Sequence, residues 1–492
     1  MARFVLAADC GTTSVRSLAF DIDSGRHQVC ASEQLPLSFP RSGWVEIDPE
    51  MVAQATVRVV RAAFDWVARA GGTATALGLT NMRETAFAWQ RSTQRPVYPG
   101  IMWKSQQSEP VVDEWRAANL DGLIRSRTGL TNHSFFFGSK VAWLLRTEPE
   151  AKKLADQGDL AVGTLDSWLL YRLSGGAAHA TDVSNGSRYQ LMNLETLAWD
   201  DELCTALGVP RSTLPDIRSS EGYFATTDPD VCGQEVPITG IVADQQASLL
   251  GHGCENRGDV KATFGTSGVV ALNAGPEATL RDGLVTSVAW QDHAGQSCYE
   301  LEGSAFHSGY TVGWLAQRFG DAAARPSLRR SHANPRDRVY VLPSFTEMGA
   351  PRWPTRRGAV ITGLGMDTGV EEITAAAVEA MAFQAYDLFA AMGDVGGGAT
   401  EVVVDGGGAA NDELCQMLAD LFDREVVRPD NQELTSVGAA KAALRGAGEE
   451  APRYFGQDRS RARRFRPGQD ATYARGGYEE WVRLVETVLQ PS

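Results

Sequence analysis

Apolar and polar positions alternate in short runs along both halves of the chain, and in each half the runs give way to helical spacing. In the N-terminal half the alternation predicts strands over 3–9, 15–21 and 27–36. Asp48-Pro49-Glu50 then offers a helix N-cap, a proline at the first helical position and an early acid. Val52, Thr56, Val59, Val60, Ala63, Phe64 and Val67 recur near helical spacing until Gly71-Gly72 ends the run. Strands over 75–79 and 236–242 deliver Thr80-Asn81-Met82-Arg83-Glu84 and Ala243-Asp244-Gln245-Gln246 at their carboxyl ends. Open α/β sheets present ligand groups at such ends.

Beyond a glycine-rich stretch at 251–258, read as a hinge, the pattern restarts with strands over 259–264, 268–273, 284–291 and 297–302. A loop rich in proline, glycine and arginine spans about 343–358, and the strongest helical signal of the chain runs from Val370 to Met392. A strand over 401–404, the turn Asp405-Gly406-Gly407-Gly408, a helix over 411–422, a strand over 425–427 and a helix over 436–445 follow. The order strands, helix, strand, helix occurs twice. It predicts a duplicated α/β fold with halves at 1–250 and 251–492, and an insertion at 104–230 that shapes the substrate side.

Each half opens on a similar hairpin. Asp9-Cys10-Gly11-Thr12-Thr13-Ser14-Val15-Arg16 and Phe264-Gly265-Thr266-Ser267-Gly268 both join two apolar strands through a Gly/Thr turn. Such a tip offers backbone N–H groups and hydroxyls to an anion. Tight turns of this composition are common, so either one alone is ambiguous. Their equivalent places in a repeated pattern point to one polyphosphate gripped between two lobes. Thr12, Thr13 and Arg16 are candidates for the phosphates on one side, Gly265 and Thr266 on the other, and Asp9 is placed to hold Mg²⁺ through water. The chain contains no Gly-Lys pair to complete a Walker A loop.

Phosphoryl transfer to an alcohol also needs a group to take the hydroxyl proton. Asp244 is the candidate base, and its alternative role is a helix N-cap. Gln245 and Gln246 have amides that can orient hydroxyls. Arg83-Glu84 is either a surface pair or a donor and acceptor that clasp vicinal hydroxyls. Met381, Phe383, Tyr386, Phe389 and Met392 read as core.

The remaining bulk properties exclude more than they assign. A net charge of −15 argues against nucleic acid as the main partner. The basic run Arg459, Arg461, Arg463, Arg464 and Arg466 reads as a solvated surface segment. Seven scattered cysteines form no CxxC pair, and Cys10 and Cys415 read as buried small residues. No leader or membrane-spanning run is evident, so a cytoplasmic protein without a membrane partner is expected. Homo-oligomerisation stays open.

Motifs spread from about residue 4 to about residue 446 resemble the FGGY family of carbohydrate kinases, and within it the glycerol kinases. Besides the segments above, they include Gly43-Trp44-Val45-Glu46, Gly163-Thr164-Leu165-Asp166-Ser167-Trp168-Leu169, Thr181-Asp182 with Ser187-Arg188, Gly349-Ala350-Pro351-Arg352-Trp353, and Ala359 to Glu379 as the second family signature. The resemblance implies two actin-like (ribonuclease H-like) domains with a catalytic cleft between them. It implies ATP and Mg²⁺ as cofactors and a small polyol or sugar as substrate. It assigns Asp244 as base, Asp9 and Asp244 to the metal side, and Thr12, Thr13, Arg16, Gly265, Thr266 and Gly309 to the phosphates. Gly407, Gly408 and Asp412 would lie near the adenosine, and Arg83, Glu84, Trp103, Asp244 and Gln245 would contact the substrate. Two substrate positions depart from the glycerol kinase pattern: Phe135 stands where a tyrosine is usual, and Val269 where a phenylalanine packs on the carbon chain. Both changes leave room for a larger polyol or a ketopentose such as xylulose or ribulose. A non-catalytic actin-like ATP or sugar binder is the remaining alternative.

Overall fold

The computed structural model describes residues 1–320, 338–345, 348–353, 358–468 and 470–488. Two sheets form the two lobes. The first contains β1 (Ala2–Cys10), β2 (Ser14–Asp21), β3 (His27–Gln34), β4 (Gly72–Asn81), β5 (Glu221–Thr226) and β6 (Pro237–Ala243), in the order β5-β6-β4-β1-β2-β3. The second contains β7 (Val260–Phe264), β8 (Gly268–Gly275), β9 (Val285–Gln291), β10 (Ser297–Ala305), β11 (Glu401–Asp405), β12 (Glu425–Arg428) and β13 (Arg463–Phe465), in the order β9-β10-β8-β7-β11-β12-β13. The pairing senses correspond. In each lobe an antiparallel meander (β1-β2-β3; β7-β8-β10) is extended by two parallel strands (β4, β6; β11, β12) and closed by an antiparallel edge (β5; β13). The second lobe adds β9 outside β10.

The helices follow the sequence signals closely where caps are strong. Helix α1 (Pro49–Arg69) starts where Asp48 accepts hydrogen bonds from the Glu50 and Met51 N–H groups at 2.9 and 3.3 Å. The others used below are α2 (Asp244–Gly251), α3 (Ser308–Phe319), α4 (Val370–Ala391), α5 (Asp412–Phe422), α6 (Leu434–Gly446) and α7 (Ala471–Val488).

Two of these helices join the lobes. Helix α6 follows a strand of the second sheet, yet its Leu434, Val437, Ala440 and Ala443 pack on Val5, Ala7, Leu18 and Phe20 of the first. Helix α2 follows the first sheet, yet its Ala247, Leu249 and Leu250 pack on Ala271, Ala289, Val403 and Val427 of the second. The two helices cross with their backbones in contact. A Cβ on Gly251 would lie 1.8 Å from the Leu434 carbonyl oxygen, and one on Gly438 would lie 1.8 Å from that of Ala247. The expected hinge at 251–258 therefore begins on a residue clamped at this crossing, and Gly253 and Gly258 turn the chain with φ of +76° and +91°.

The structure adds to the sequence expectations in three places. The insertion at 104–230 does more than shape one side, because it also reaches the second lobe: Arg125 donates to the Leu284 carbonyl at 2.7 Å, and the Thr286 N–H donates to that of Gly129 at 3.1 Å. The basic run is not simply solvated. It carries β13, and Arg459, Arg461, Arg463, Arg464 and Arg466 pair with Glu401, Asp430, Asp412 and Glu425. Helices α3 and α7 had no counterpart in the pattern reading. Gly309 and Gly313 lower the intrinsic propensity of α3, so packing rather than local preference holds it. Part of the loop at 343–358 lies outside the described residues. Among the described residues, no helix is long and apolar enough to cross a membrane.

Candidate active site

Parallel pairing sets the register of the first lobe's carboxyl edge. Cys10 of β1 and Ala243 of β6 both lie opposite Asn81 of β4. Three consecutive elements therefore end together, placing Asp9, Arg83-Glu84 and Asp244 on one rim. In the second lobe Thr263 pairs with Asp405 in the same sense, which brings the turns at 264–268 and 405–408 to one edge.

Asp244 is the first residue of α2, and Ala243 is the N-cap. The capping alternative therefore fails: the carboxylate accepts only the neighbouring Gln245 N–H at 2.7 Å. Its Oδ1 lies 3.5 Å from Arg83 Nε, and its side chain is 29% exposed. Burial pushes the Asp244 carboxyl up to about 6, against the pull of Arg83, with Glu84 and Asp9 adding to the rise. Burial also raises Asp9, which is opposed by Arg16 and by the Ser436 hydroxyl at 3.2 Å.

Arg83 is not free to clasp two hydroxyls. Its guanidinium makes a two-pronged contact with Glu302 of β10, at 2.6 and 3.1 Å, and donates to Gln246 Oε1 at 3.3 Å. Arg188 from the insertion binds Glu84 at 2.6 Å and Glu302 at 3.3 Å. Against the upward push of burial, Arg83 and Arg188 hold the Glu302 carboxyl low, while burial and Glu302 together push Glu300 up to about 7. The fully buried Gln246 is thus an internal partner of Arg83 rather than a hydroxyl-orienting group. Gln245 accepts from Lys261 Nζ of the second lobe at 3.0 Å. Glu302 and Lys261 escaped the sequence reading. The available signal was a pair of acids, Glu300 and Glu302, at alternate positions of a strand, flanked by Tyr299 and Leu301, since buried charges demand partners.

An aromatic wall stands beside this rim. Trp103 donates its indole N–H to Thr12 Oγ1 at 3.1 Å, and its ring meets that of Phe135 edge-on at 5.7 Å. Phe135 in turn lies 6.4 Å from Phe306 of the second lobe. Val269 is buried in β8, opposite Thr263 and Ser304.

On the second lobe, Gly265, Thr266, Gly309, Gly407 and Gly408 line one cavity of about 780 Å³, together with Asn411. Met381, read as core, also reaches it. Asp412 does not: it is spent on Arg428 at 3.0 Å and Arg463 at 2.7 Å. On the first lobe Thr13 is exposed at its turn, and Arg16 is held between Asp9 at 3.1 Å and Glu433 at 2.9 Å. The N-terminus of α3 abuts the hairpin, the Gly309 N–H donating to the Gly265 carbonyl at 3.2 Å. A Cβ on Gly309 would meet that same oxygen at 2.3 Å. Gly309→Ala is expected to force the hairpin out of place and raise the KM for ATP about tenfold, with the acceptor KM near wild type, in steady-state assays.

Comparison with known proteins supplies the identity. The family models for the N-terminal and C-terminal domains of the FGGY family of carbohydrate kinases match residues 4–251 and 260–447. The chain belongs to the FGGY family of carbohydrate kinases. Glycerol kinases of Methylobacterium nodulans and Rhodospirillum rubrum are 39% and 38% identical to this FGGY chain, each match covering 99% of both chains. The crystal structure of Plasmodium falciparum glycerol kinase with ADP superposes with a TM-score of 0.89 at 26% identity, covering 100% of this chain and 99% of that one. A xylulose kinase from Rhodospirillum rubrum shares the fold, with a TM-score of 0.86 at 21% identity and 99% coverage of each chain. This FGGY protein is an ATP-dependent carbohydrate kinase with two actin-like domains.

Proposed function

We propose that the enzyme transfers the γ-phosphoryl group of ATP to a terminal hydroxyl of glycerol or a related small polyol, with Asp244 taking the hydroxyl proton. The observation that carries this reading is the place of Asp244: desolvated, at the carboxyl edge of the first sheet, inside a charge network that joins both lobes, and raised toward the pH at which a base works well. Full-length identity to glycerol kinases supports the acceptor class. In this reading Arg83, Glu84, Gln245, Trp103, Phe135 and Val269 surround the acceptor. Thr12, Thr13, Arg16, Gly265, Thr266 and Gly309 face the phosphates, and Gly407 and Gly408 face the adenosine. The division of labour follows the two halves in the main: the base, most of the acceptor wall and one phosphate hairpin lie on 1–250, while the second hairpin, the adenosine side and Val269 lie on 251–492.

The donor set fits a magnesium ion that arrives with the nucleotide. Asp9 and Asp244 are near enough for Asp9 to push up the Asp244 carboxyl, a repulsion that a divalent cation relieves. Among the described residues no three acidic, histidine or cysteine side chains converge to hold an ion unaided. Magnesium suits such a place, because it takes one or two carboxylates and completes its octahedron with phosphate oxygens and water. When bound, it would neutralise charge on the phosphates.

A ketopentose is the second reading, favoured by Phe135, which lacks the hydroxyl of a tyrosine, and by the small Val269. Coupled ADP-release assays across glycerol, erythritol, xylitol, xylulose and ribulose decide between them. The highest kcat/KM is expected on glycerol or a short polyol. A preference for xylulose or ribulose would establish the second reading. No turnover of any alcohol, with ATP still bound, would overturn both in favour of a non-catalytic binder.

A further inference from the structure

Lys140 is fully buried, and among the described residues no carboxylate lies within ion-pairing distance of it. Its ammonium instead points at three consecutive backbone carbonyls, those of Ser134 at 2.8 Å, Phe135 at 2.5 Å and Phe136 at 3.0 Å. An ammonium has three N–H donors, so each finds one acceptor and none is left over. The arrangement treats the segment as a chelator would be treated by a cation. The segment precedes the helix Phe137–Thr147 that carries Lys140 itself, so the helix clasps its own lead-in.

The ring presented by that segment is Phe135, which meets Trp103 edge-on and reaches Phe306 across the cleft. Other ties on the segment are Ser134 Oγ donating to Glu109 at 2.5 Å, the Phe135 N–H donating to His133 Nδ1 at 3.0 Å, the Phe136 N–H donating to the His133 carbonyl at 3.2 Å and Ser139 Oγ donating to the Phe136 carbonyl at 3.2 Å. None of these reaches the Phe135 carbonyl. A buried cation without a counter-ion is costly, and burial lowers the Lys140 ammonium to about 7 while Glu84 and Glu109 draw it back up. A neutral residue would fill the same space without that cost. A charge at this place is accounted for if the three carbonyls must be held in one orientation.

We propose that Lys140 is a positioning residue for acceptor specificity, holding the 134–136 backbone so that Phe135 forms a fixed wall of the polyol site. This rests on the polyol kinase reading above. Lys140 touches neither nucleotide nor acceptor in this account; it acts through Phe135.

The test uses the full-length enzyme and the best acceptor of the panel. Lys140→Gln, which is one atom shorter, keeps two N–H donors and carries no charge, is expected to raise the acceptor KM roughly tenfold while the KM for ATP stays within about twofold. In a Phe135→Ala background the same substitution is expected to add less than about threefold, because its route to the acceptor is already gone. A parallel rise in both KM values, or effects of the two substitutions that multiply, would overturn the proposal. Should Lys140→Gln fail to fold, hydrogen exchange on the wild-type protein answers instead: slow exchange across 133–137 without ligand supports a clasped segment, and exchange within seconds contradicts it. An enzyme that turns over no alcohol would sink the polyol reading, whereas an active enzyme indifferent to Lys140→Gln would sink only this proposal.

Discussion

Asp244→Asn is expected to lower kcat roughly 10³-fold, the range that a lost general base commands, while ATP binding persists. The amide keeps the size and the hydrogen bond accepted from Gln245, so the start of α2 stays intact; only the capacity to accept a proton goes. Isothermal titration with ATP and a rapid-quench assay of phosphoryl transfer separate the two quantities. Retention of more than a tenth of wild-type kcat would show that Asp244 is not the base. The sign of the pH dependence follows from the same environment. A base must be deprotonated, and burial raises this carboxyl to about 6. The kcat/KM of the wild type is therefore expected to fall as pH drops through about 6, well above the region where an exposed aspartate would titrate. An acid limb near pH 4 would contradict the desolvated setting.

The second large effect concerns the arginine shared between lobes. Arg83 and Glu302 are both buried, and their two-pronged pair, at 2.6 and 3.1 Å, links the two lobes. Arg83→Met would leave Glu302 and Glu84 sharing Arg188, at 3.3 and 2.6 Å, and would strand Asp244 beside them. Removing one partner of such a pair costs about 3–5 kcal/mol, because the remaining charge stays buried. A clear drop of the calorimetric melting midpoint and loss of acceptor turnover are expected. Arg83→Met/Glu302→Leu should regain most of the melting midpoint, since neither charge is then left unpaired, yet should not regain turnover. If the single variant melts like wild type, the cluster is better solvated than its burial indicates.

This arginine shows why a polar dipeptide is hard to read from sequence. Arg83-Glu84 was legible as functional chemistry at a strand's carboxyl end, but its partners are Glu302 and Arg188, 219 and 104 residues away. The same holds for Gln246, which looked like a ligand group beside Asp244 and is an internal acceptor for Arg83. Asp412, expected near the adenosine, pairs in the fold with arginines from β12 and β13 and does not line the cavity beside it.

What the chain alone determined was everything governed by neighbours in sequence. Periodicity placed the strands and α1, α4 and α5 within a few residues, because side-chain alternation and the Asp48-Pro49 cap act over one or two turns. The glycines and hydroxyls of both hairpins were recognisable, since tight turns need them locally. Tertiary structure decided which charges face each other: the Arg83–Glu302 clasp and the Lys261–Gln245 link form where the two sheet edges meet beside the α2–α6 crossing, whereas Lys140 reaches carbonyls four to six residues before it, a local contact that the fold buries. A buried charge is defined by the partners that repay its desolvation, and those partners are a property of the folded arrangement rather than of any stretch of sequence.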